Sequence, residues 1–543
     1  MGIFPKGRRM DQAVSPWVPA AMAALFVAMA APATPAFAQV PSVGVENFKA
    51  PPDPSWRARA LQDVEAAYRF LQENHPGAAP ELHDRAFIAR LEAARATAMQ
   101  RAKSVESAQG YNAVLAGLAT DMGDKHIWSR PTLVVNLPYW TGAVIGKQGD
   151  SWFVVASDQA EGTPPEGARL VSCDGLAANE LARRNLGGFR ATWAVEAQQY
   201  QAAPWLLVDE GNPFVRRPES CVFETAQGQM ALKLNWKRIK REDLLPKLKA
   251  GRGAGAAGFG IRKLGDGYWI SLQDMTDKGA SVSAEVASRQ AELRSAPFVV
   301  VDVRGNGGGA SDVGTRIARA LWGPERTRAV TGPEDADCGD DFRASPGNLA
   351  DMEYLIATLG AVIGPEGVAE LRKQIVSGRD ALAHGRSFAR PPVCTKSQRI
   401  AAISPSPGAS VAGPRVVLLT DNLCFSSCLV LTDQFRRLGA LHVGRATDAA
   451  THFTEVREEF LPSGYSMFST LQAVAPGEPA AVGPFQPART YQSDIADTAA
   501  VEHWVLEQLG RPALSAPRRQ SAQSASSTIG RRMSLSRRSS ISG

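Results

Sequence analysis

The sequence has few of the residues from which metal sites are built, and few long apolar runs. Among its 543 residues are only seven histidines and six cysteines. No apolar run after the amino-terminal segment reaches the ~20 residues that a membrane span needs. Cys424 and Cys428 are the only close cysteine pair, and no second close pair of Cys or His ligands accompanies them. We therefore predict no zinc site, and nothing in the sequence calls for another metal or a cofactor.

Charge is also limited, since 21% of the residues are charged and the formal net charge is +6. Part of that excess lies in the arginine-rich end of the chain, after residue 511. A modest charge of this kind does not form a basic footprint along the fold, so we predict no nucleic-acid partner. The length and a hydrophobic content of 44% allow two or three domains, each with its own core.

The amino terminus has the pattern of a signal peptide. Three basic residues precede an apolar run over residues 20–31, and residues 36–38 read Ala-Phe-Ala, which fits an A-x-A cleavage site. The alternative is a membrane anchor, but the run is shorter than the ~20 residues of a span. We predict a signal peptide over residues 1–38, a periplasmic or secreted protein, and no integral membrane span after cleavage.

Export makes disulfide bonds possible, and six cysteines permit up to three of them. An even number of cysteines does not determine their connectivity. By proximity along the chain, the first pairs to consider are Cys173 with Cys221 and Cys338 with Cys394.

The hydrophobic pattern changes along the chain and indicates several regions. Residues 39–130 have apolar residues at helical spacing and predict a helical domain, whereas residues 131–252 alternate and predict a β-rich module with a strand over residues 132–137. Residues 260–510 have a β-α-β pattern, interrupted by a polar insertion at about residues 325–410. Residues 511–543 are rich in Ser and Arg and are predicted to be disordered.

Two segments of the β-α-β region have the composition of an active site. Residues 298–309 and 416–428 are each an apolar β-branched run that ends abruptly in small or polar residues. Such runs are typical of buried parallel strands, and ligands bind where these strands end. The first segment offers the backbone N–H groups of Gly307 and Gly308. The second offers Ser426, followed at once by Ser427.

A nucleophile and an oxyanion hole could be built from these parts. The simpler alternatives are that Ser426 and Ser427 cap a helix, and that the glycine loop is a plain turn. A phosphate-binding loop is disfavoured because the G-x-x-x-x-G-K-[ST] pattern is absent.

Several motifs occur in the order found in one enzyme family. Residues 302–309 resemble the D-x-R-x-N-x-G-G signature of the tail-specific (carboxyl-terminal processing) serine proteases, and Ser426 stands at the position of their nucleophile. Residues 443–447 match the V-G-x-x-T that follows it, and residues 461–464 resemble a hairpin often found after that. The resemblance implies an α/β fold with a crotonase- and ClpP-like catalytic domain. It also implies a small β-rich module, as in a degenerate PDZ-like domain.

The chain departs from the bacterial members of this family, which pair the serine with a lysine shortly after V-G-x-x-T. Residues 447–452 contain no lysine. The tricorn-type and interphotoreceptor retinoid-binding protein-like branch implies instead a histidine from the amino-terminal part, in an L-x-D-x-H motif. His126 follows Asp124 and Lys125 and is the preferred general base, with His452 as its competitor. The acid that orients the histidine is left open among Glu455, Glu458, Glu459 and Asp448, while Gln486 stands where an acid is expected.

These observations predict an exported serine peptidase that acts on peptide or protein substrates. Ser426 would attack the peptide carbonyl, His126 would accept its proton, and the N–H groups of Ser427 and of Gly307 or Gly308 would hold the oxyanion. The alternative from another class is a non-catalytic protein that binds a peptide or hydrophobic ligand on the same fold. An acyl-CoA enzyme of the crotonase type is disfavoured because coenzyme A is scarce outside the cytoplasm.

Overall fold

The computed structural model describes residues 54–252, 255, 257–331, 340–389, 413–474 and 482–511. The predicted signal peptide, nearly all of the basic tail and the cysteine pair 338 and 394 lie outside the described residues. By its internal contacts the chain forms one unit up to Val501 and a second unit from Glu502 onwards.

Three helices open the described chain, as the apolar spacing predicts. They are α1 (Pro54–Asn74), α2 (Arg85–Ala102) and α3 (Ala108–Asp121). Side chains cap two of them, since Asp84 accepts a hydrogen bond from Phe87 N and Ser107 accepts one from Gly110 N.

The β-rich module follows, and its main sheet has the strand order β3-β4-β5-β8-β9, with every pair antiparallel. A second, three-stranded sheet has the order β10-β2-β7. The elements from the end of α3 onwards are β1 (Ser129–Pro131), β2 (Tyr139–Trp140), β3 (Ala143–Gln148), β4 (Ser151–Ser157), β5 (Arg169–Cys173), β6 (Leu176–Ala177), α4 (Ala178–Leu186), α5 (Glu196–Ala202), β7 (Val208–Asp209), β8 (Ser220–Thr225), β9 (Gly228–Lys233), β10 (Lys237–Arg238) and α6 (Arg241–Gly251).

The strand predicted over residues 132–137 is wrong. That stretch lies between Pro131 and Pro138 and contains no strand. Proline lacks the N–H that a ladder needs, and the carbonyl of Leu133 is satisfied instead by the side-chain amide of Asn112. The alternating pattern is therefore that of a loop laid against α3.

A disulfide joins Cys173 and Cys221, as proposed from their proximity along the chain. The two cysteines are direct partners in the β5–β8 ladder and are both buried. The turn that follows Cys173 places Asp174 and Gly175 at φ values of 47° and 81°, the left-handed backbone that an Asp-Gly hairpin turn uses.

The β-α-β region forms a six-stranded sheet with the order β11-β12-β13-β15-β16-β19. Only the edge strand β11 is antiparallel to its neighbour; the other pairs are parallel. Its elements are β11 (Phe259–Leu264), β12 (Gly267–Leu272), α7 (Asp277–Ser288), α8 (Gln290–Ser295), β13 (Phe298–Asp302), α9 (Ser311–Trp322), β15 (Arg415–Thr420), α12 (Ser427–Arg437), β16 (Leu441–Gly444), β19 (Arg489–Thr490) and α13 (Thr498–Gln508).

The pairing of β13 with β15 decides where the two candidate segments lie. Val299 is level with Val416 and Asp302 with Leu419. Both strands are parallel and end at the same edge of the sheet, so the glycine loop and the segment carrying Ser426 leave the sheet side by side. The edge predicted from the two apolar runs is therefore the one that forms.

A β-hairpin connects this region with the amino-terminal helices. It consists of β17 (Phe453–Phe460) and β18 (Ser466–Val474), and β18 also pairs with β1 and with β14 (Asp341–Phe342). Phe453, Phe468 and Leu471 pack in the same apolar core as residues of all three amino-terminal helices. The hairpin thus belongs by sequence to the carboxyl-terminal region and by packing to the helical one.

The insertion is largely helical where the structure describes it. It contains α10 (Pro324–Thr331) and α11 (Pro346–Ala383), which is interrupted at Gly364, where φ is 80°. The two halves fold back on each other, since a Cβ built at Gly378 would lie 2.6 Å from Leu349 Cδ2. By length and composition alone α11 could cross a membrane, a feature that the sequence analysis did not single out.

The disulfide between Cys173 and Cys221 should stabilise the β-rich module because it closes a long loop in the unfolded chain. We expect the double variant Cys173→Ala/Cys221→Ala to lose about 2–4 kcal/mol of unfolding free energy, measured by urea denaturation. If the double variant had the same urea midpoint as the wild type, the bridge would contribute nothing to stability.

Candidate active site

The glycine loop after β13 is held by a buried ion pair. Asp302 and Arg304 are both fully buried, and the guanidinium binds both carboxylate oxygens at 2.9 and 2.7 Å. Arg304 also donates to the carbonyl of Ile495 and to Thr498 Oγ1. A buried charge pair survives only when its remaining donors are satisfied, and here they fix the start of the loop.

Asn306 and Asp421 hold the rest of the loop. Asn306 donates to the carbonyl of Leu272, and its Oδ1 accepts from the N–H of Gly308 at 2.8 Å. Asp421, at the end of β15, accepts from the N–H groups of Gly305 and Gly255, and burial raises its pKa to about 6. Asp302, Arg304 and Asn306 of the signature, together with Asp421, thus shape the loop through these bonds.

Ser426 lies at the junction between β15 and α12 with φ 57° and ψ −129°, an unusual backbone for a serine. A Cβ built at Gly308 would lie 2.7 Å from Ser426 Cβ and 3.0 Å from Ser427 N. Only a glycine fits against this turn, where its own φ is 104°. The structure thus brings together Gly308, Ser426 and Ser427, the residues that the sequence analysis grouped.

Ser427 begins α12 and is held by its side chain. Its Oγ donates to the carbonyl of Gly309 at 2.5 Å and lies 2.9 Å from Ser311 Oγ. The simpler alternative, a capping role, does not describe Ser426, whose side chain makes no capping hydrogen bond. Of the two glycines proposed as donors, Gly308 gives its N–H to Asn306, whereas Gly307 N–H makes no hydrogen bond to any described residue.

His126 is held by Asp124, two residues before it. The Asp124 carboxylate accepts from both the backbone N–H and Nδ1 of His126, at 2.9 and 2.8 Å. Its other oxygen accepts from the backbone N–H and the hydroxyl of Thr451. Burial opposes ionisation of Asp124, but His126 and these hydrogen bonds outweigh it and hold the pKa of Asp124 below its usual range.

The His126 ring packs on the residue before the candidate nucleophile. Its centroid is 4.4 Å from that of Phe425, and Lys125 Nζ lies 4.7 Å from the same ring. His126 and Ser426 are not joined by a hydrogen bond in this structure. Catalytic hydrogen bonds are often long in the absence of substrate, so proximity through Phe425 is the relevant observation.

A lysine does lie near this site, although none occurs in residues 447–452. Lys125 Nζ is 2.7 Å from Asp448 Oδ2, and the fully buried Asp448 also accepts from the side-chain amides of Gln198 and Gln201. An ammonium held in such an ion pair has no lone pair with which to accept a proton. Through its bonds to Asp448 and to Gln201, Lys125 instead connects the His126 loop with the segment after β16 and with α5 of the β-rich module.

Among the described residues, no hydrogen bond or ring contact joins His126 to the other candidates for base and acid. The ring of His452 packs on Phe453, 4.1 Å between centroids, and burial lowers the pKa of His452. Among the described residues, Glu458 binds Arg130, Glu459 binds Arg457, and neither contacts His126. The exposed Gln486 follows Phe485, whose backbone pairs with Thr447.

The sequence analysis missed Asp124 as the partner of His126, although the spacing Asp-x-His within the motif was a signal for it.

A disulfide that the sequence analysis did not propose joins Cys424 and Cys428. Both cysteines are fully buried, and the bridge spans the turn that carries Ser426. The two cysteines considered for zinc are thus bonded to each other, and the described residues contain no group of three or more His, Cys, Asp or Glu side chains that could hold a metal ion.

Glu455, in strand β17 of the β17–β18 hairpin, offers a test of the electrostatics there. Its φ is 60°, its carboxyl makes no hydrogen bond to a described residue, and burial together with Asp340 raises the pKa of Glu455 to about 8. A carboxyl whose pKa rises on folding favours the folded state at low pH, and that contribution is lost as pH rises through the folded value. We expect Glu455→Gln to become more stable than wild type between pH 5 and pH 8, by at most about 1.4 kcal/mol per pH unit. Thermal denaturation across this range measures it; a difference independent of pH would contradict the assignment.

Comparison with solved structures supports the fold. No protein-family model and no curated protein matches the chain. The structure of mature CPAF complexed with lactacystin matches with a TM-score of 0.53 and 16% identity, over 84% of this chain and 99% of that one. A structure of a CPAF mutant matches with a TM-score of 0.51 and 14% identity, over 85% and 99%. The photosystem II D1 C-terminal processing protease has a TM-score of 0.31 and 13% identity, over 80% and 93%.

The matches to the two CPAF structures cover more than four fifths of this chain. At these identities they concern the fold and not the chemistry. The resemblance read from the motifs is confirmed at this level: the chain has the fold of the tail-specific (carboxyl-terminal processing) protease family.

Proposed function

We propose that the protein is an exported serine peptidase that hydrolyses peptide bonds through an acyl-enzyme on Ser426. The observation that carries the proposal is the convergence of three parts at one sheet edge. Ser426 lies on a sharp turn against Gly308, and Ser427 is the first residue of the helix that follows. The ring of His126, which is bound by the Asp124 carboxylate, packs on the adjacent Phe425. An activated serine and an oxyanion site need these parts.

The fold supports a finer assignment. We assign the six-stranded sheet to a crotonase- and ClpP-like catalytic domain. We interpret the β-rich module, residues 131–252, as a degenerate PDZ-like domain. We place the chain in the tricorn-type branch because its base is a histidine from the amino-terminal part. Export is proposed on the predicted signal peptide.

His126 has the arrangement of a general base. Asp124 accepts at Nδ1, so the neutral ring carries its proton there and leaves the lone pair at Nε2. When Nε2 takes the proton of Ser426, the imidazolium that forms is stabilised by a carboxylate that stays ionised, because its pKa is low. Asp124 thus replaces the later acids considered from the sequence.

Acyl transfer then follows from the geometry. Ser426 Oγ attacks the peptide carbonyl, and the oxyanion is held by Ser427 N–H, at the positive end of α12, with the free N–H of Gly307 as the second donor. His126 returns its proton to the leaving amine, and a water deprotonated at Nε2 hydrolyses the acyl-enzyme. Each step uses the chain's own groups and requires no metal or cofactor.

A fluorophosphonate serine probe tests the nucleophile and its base. We expect the purified mature protein to label, Ser426→Ala to lose labelling completely, and His126→Ala and Asp124→Asn to lose at least about 100-fold in labelling rate. Circular dichroism checks that each variant is folded. Peptidase activity that survives in Ser426→Ala would overturn the proposal. A folded wild type that neither labels nor cleaves peptides would favour the ligand-binding alternative.

Gly308 tests the shape of the site separately from its chemistry. In Gly308→Ala the new methyl would meet Ser426 Cβ and Ser427 N, so we expect kcat to fall at least about 100-fold with the fold retained. Gly464→Ala is the matched control: Gly464 has a φ of 75°, but a Cβ there would meet no atom within 4 Å. It should lose some stability and keep its kcat. Equal loss of activity in both variants would show that backbone strain alone is responsible.

A further inference from the structure

The bridge between Cys424 and Cys428 closes a covalent ring of five residues. Between the two cysteines lie Phe425, Ser426 and Ser427, and each has a role in the proposed site. Phe425 is the surface on which the His126 ring packs, Ser426 is the nucleophile, and Ser427 supplies an oxyanion donor. The nucleophile, one oxyanion donor and the contact surface of the base thus belong to one small ring.

Backbone hydrogen bonds fix this ring to the elements around it. Phe425 N–H donates to the carbonyl of Asn306 at 3.2 Å, and Asp448 N–H donates to the carbonyl of Cys424 at 3.0 Å. Within the ring, Cys428 N–H donates to the carbonyl of Phe425. The ring is therefore tied to the glycine loop on one side and to the segment bound by Lys125 on the other.

The covalent ring closed by Cys424 and Cys428 contains one residue with a strained backbone conformation, Ser426. Ser426 has a φ of 57°, a strained conformation for a residue with a Cβ, and such strain persists only where the surroundings impose it. Its side chain makes no hydrogen bond to a described residue. Gly308, where a built Cβ would lie 2.7 Å from Ser426 Cβ, offers it no side-chain packing. The covalent link between Cys424 and Cys428, which lie two residues before and two residues after Ser426, is the strongest local constraint on this turn.

We propose that the Cys424–Cys428 disulfide is a positioning element of the active site, so that the bridged form is the reactive form of the enzyme. The proposal rests on the proposed function of Ser426. Opening the bridge lets the turn relax and moves Ser426 and Ser427 N–H away from the geometry of attack. Since both cysteines are buried, the bridge opens only when a dithiol gains access through local motion. The dithiol then supplies two electrons and two protons, leaves two thiols in the chain, and becomes a disulfide itself.

The test compares two disulfides in one protein. Cys424→Ala/Cys428→Ala should lower kcat and the fluorophosphonate labelling rate by about 10- to 100-fold with KM changed less than about threefold. Cys173→Ala/Cys221→Ala removes the bridge in the β-rich module and should keep kcat. Thermal denaturation of both pairs accompanies the kinetics, because a merely structural bridge would change the melting temperature without separating kcat from KM.

Each outcome bears on the proposal. An unchanged kcat in the folded 424/428 pair, beside a wild type that labels at Ser426, overturns the positioning role and leaves the proposed function standing. A wild type without Ser426-dependent labelling overturns both. If the alanine pair does not fold, Cys173→Ala/Cys221→Ala protein is treated with dithiothreitol, and the opened bridge is identified by alkylation and mass spectrometry. Loss of kcat that returns on reoxidation supports the role, and full activity of the opened protein overturns it.

Discussion

The parallel pairing of β13 with β15 is the constraint on which the rest of the site depends. Each strand is apolar along its buried length and turns polar or glycine-rich at its carboxyl end. Their register places Asp302 level with Leu419, so both chain segments leave the sheet at the same height. A shift of two residues in this register would move Gly308 by ~7 Å relative to Ser426, and their close approach would be lost.

Buried polar groups keep that edge in shape. Asp302, Arg304, Asn306 and Asp421 are all buried, and they form hydrogen bonds with the backbone, with one another and, in the case of Arg304, with Thr498 Oγ1. Such a network costs desolvation, which its internal bonds offset only when all of them form. The network therefore gives the glycine loop one conformation, which a site needs if it must place N–H groups to within a fraction of an ångström.

Regions far apart in the sequence meet around the nucleophile. The His126 loop follows the amino-terminal helices, Gln198 and Gln201 come from α5 of the β-rich module, and Asp448 follows β16. Lys125 and the buried Asp448 join these three. The hairpin of β17 and β18 adds a second connection, because it shares its core with the amino-terminal helices. The candidate site thus belongs to the whole chain up to Val501 rather than to the β-α-β region alone.

The sequence by itself determined the α/β character of the carboxyl-terminal region, the three amino-terminal helices and the edge at which Ser426 and the glycine loop meet. It also offered Cys173 with Cys221 as a pair to consider first, without determining the connectivity. These features follow from local periodicity, from small residues at strand ends and from proximity along the chain. Only the tertiary structure decided that Asp124 holds His126, that Lys125 binds Asp448, and that residues 132–137 form a loop. Only the tertiary structure also showed that Cys424 and Cys428 are bonded to each other. Each of these rests on which side chain reaches which partner across the fold, and hydrophobic spacing carries no information about that.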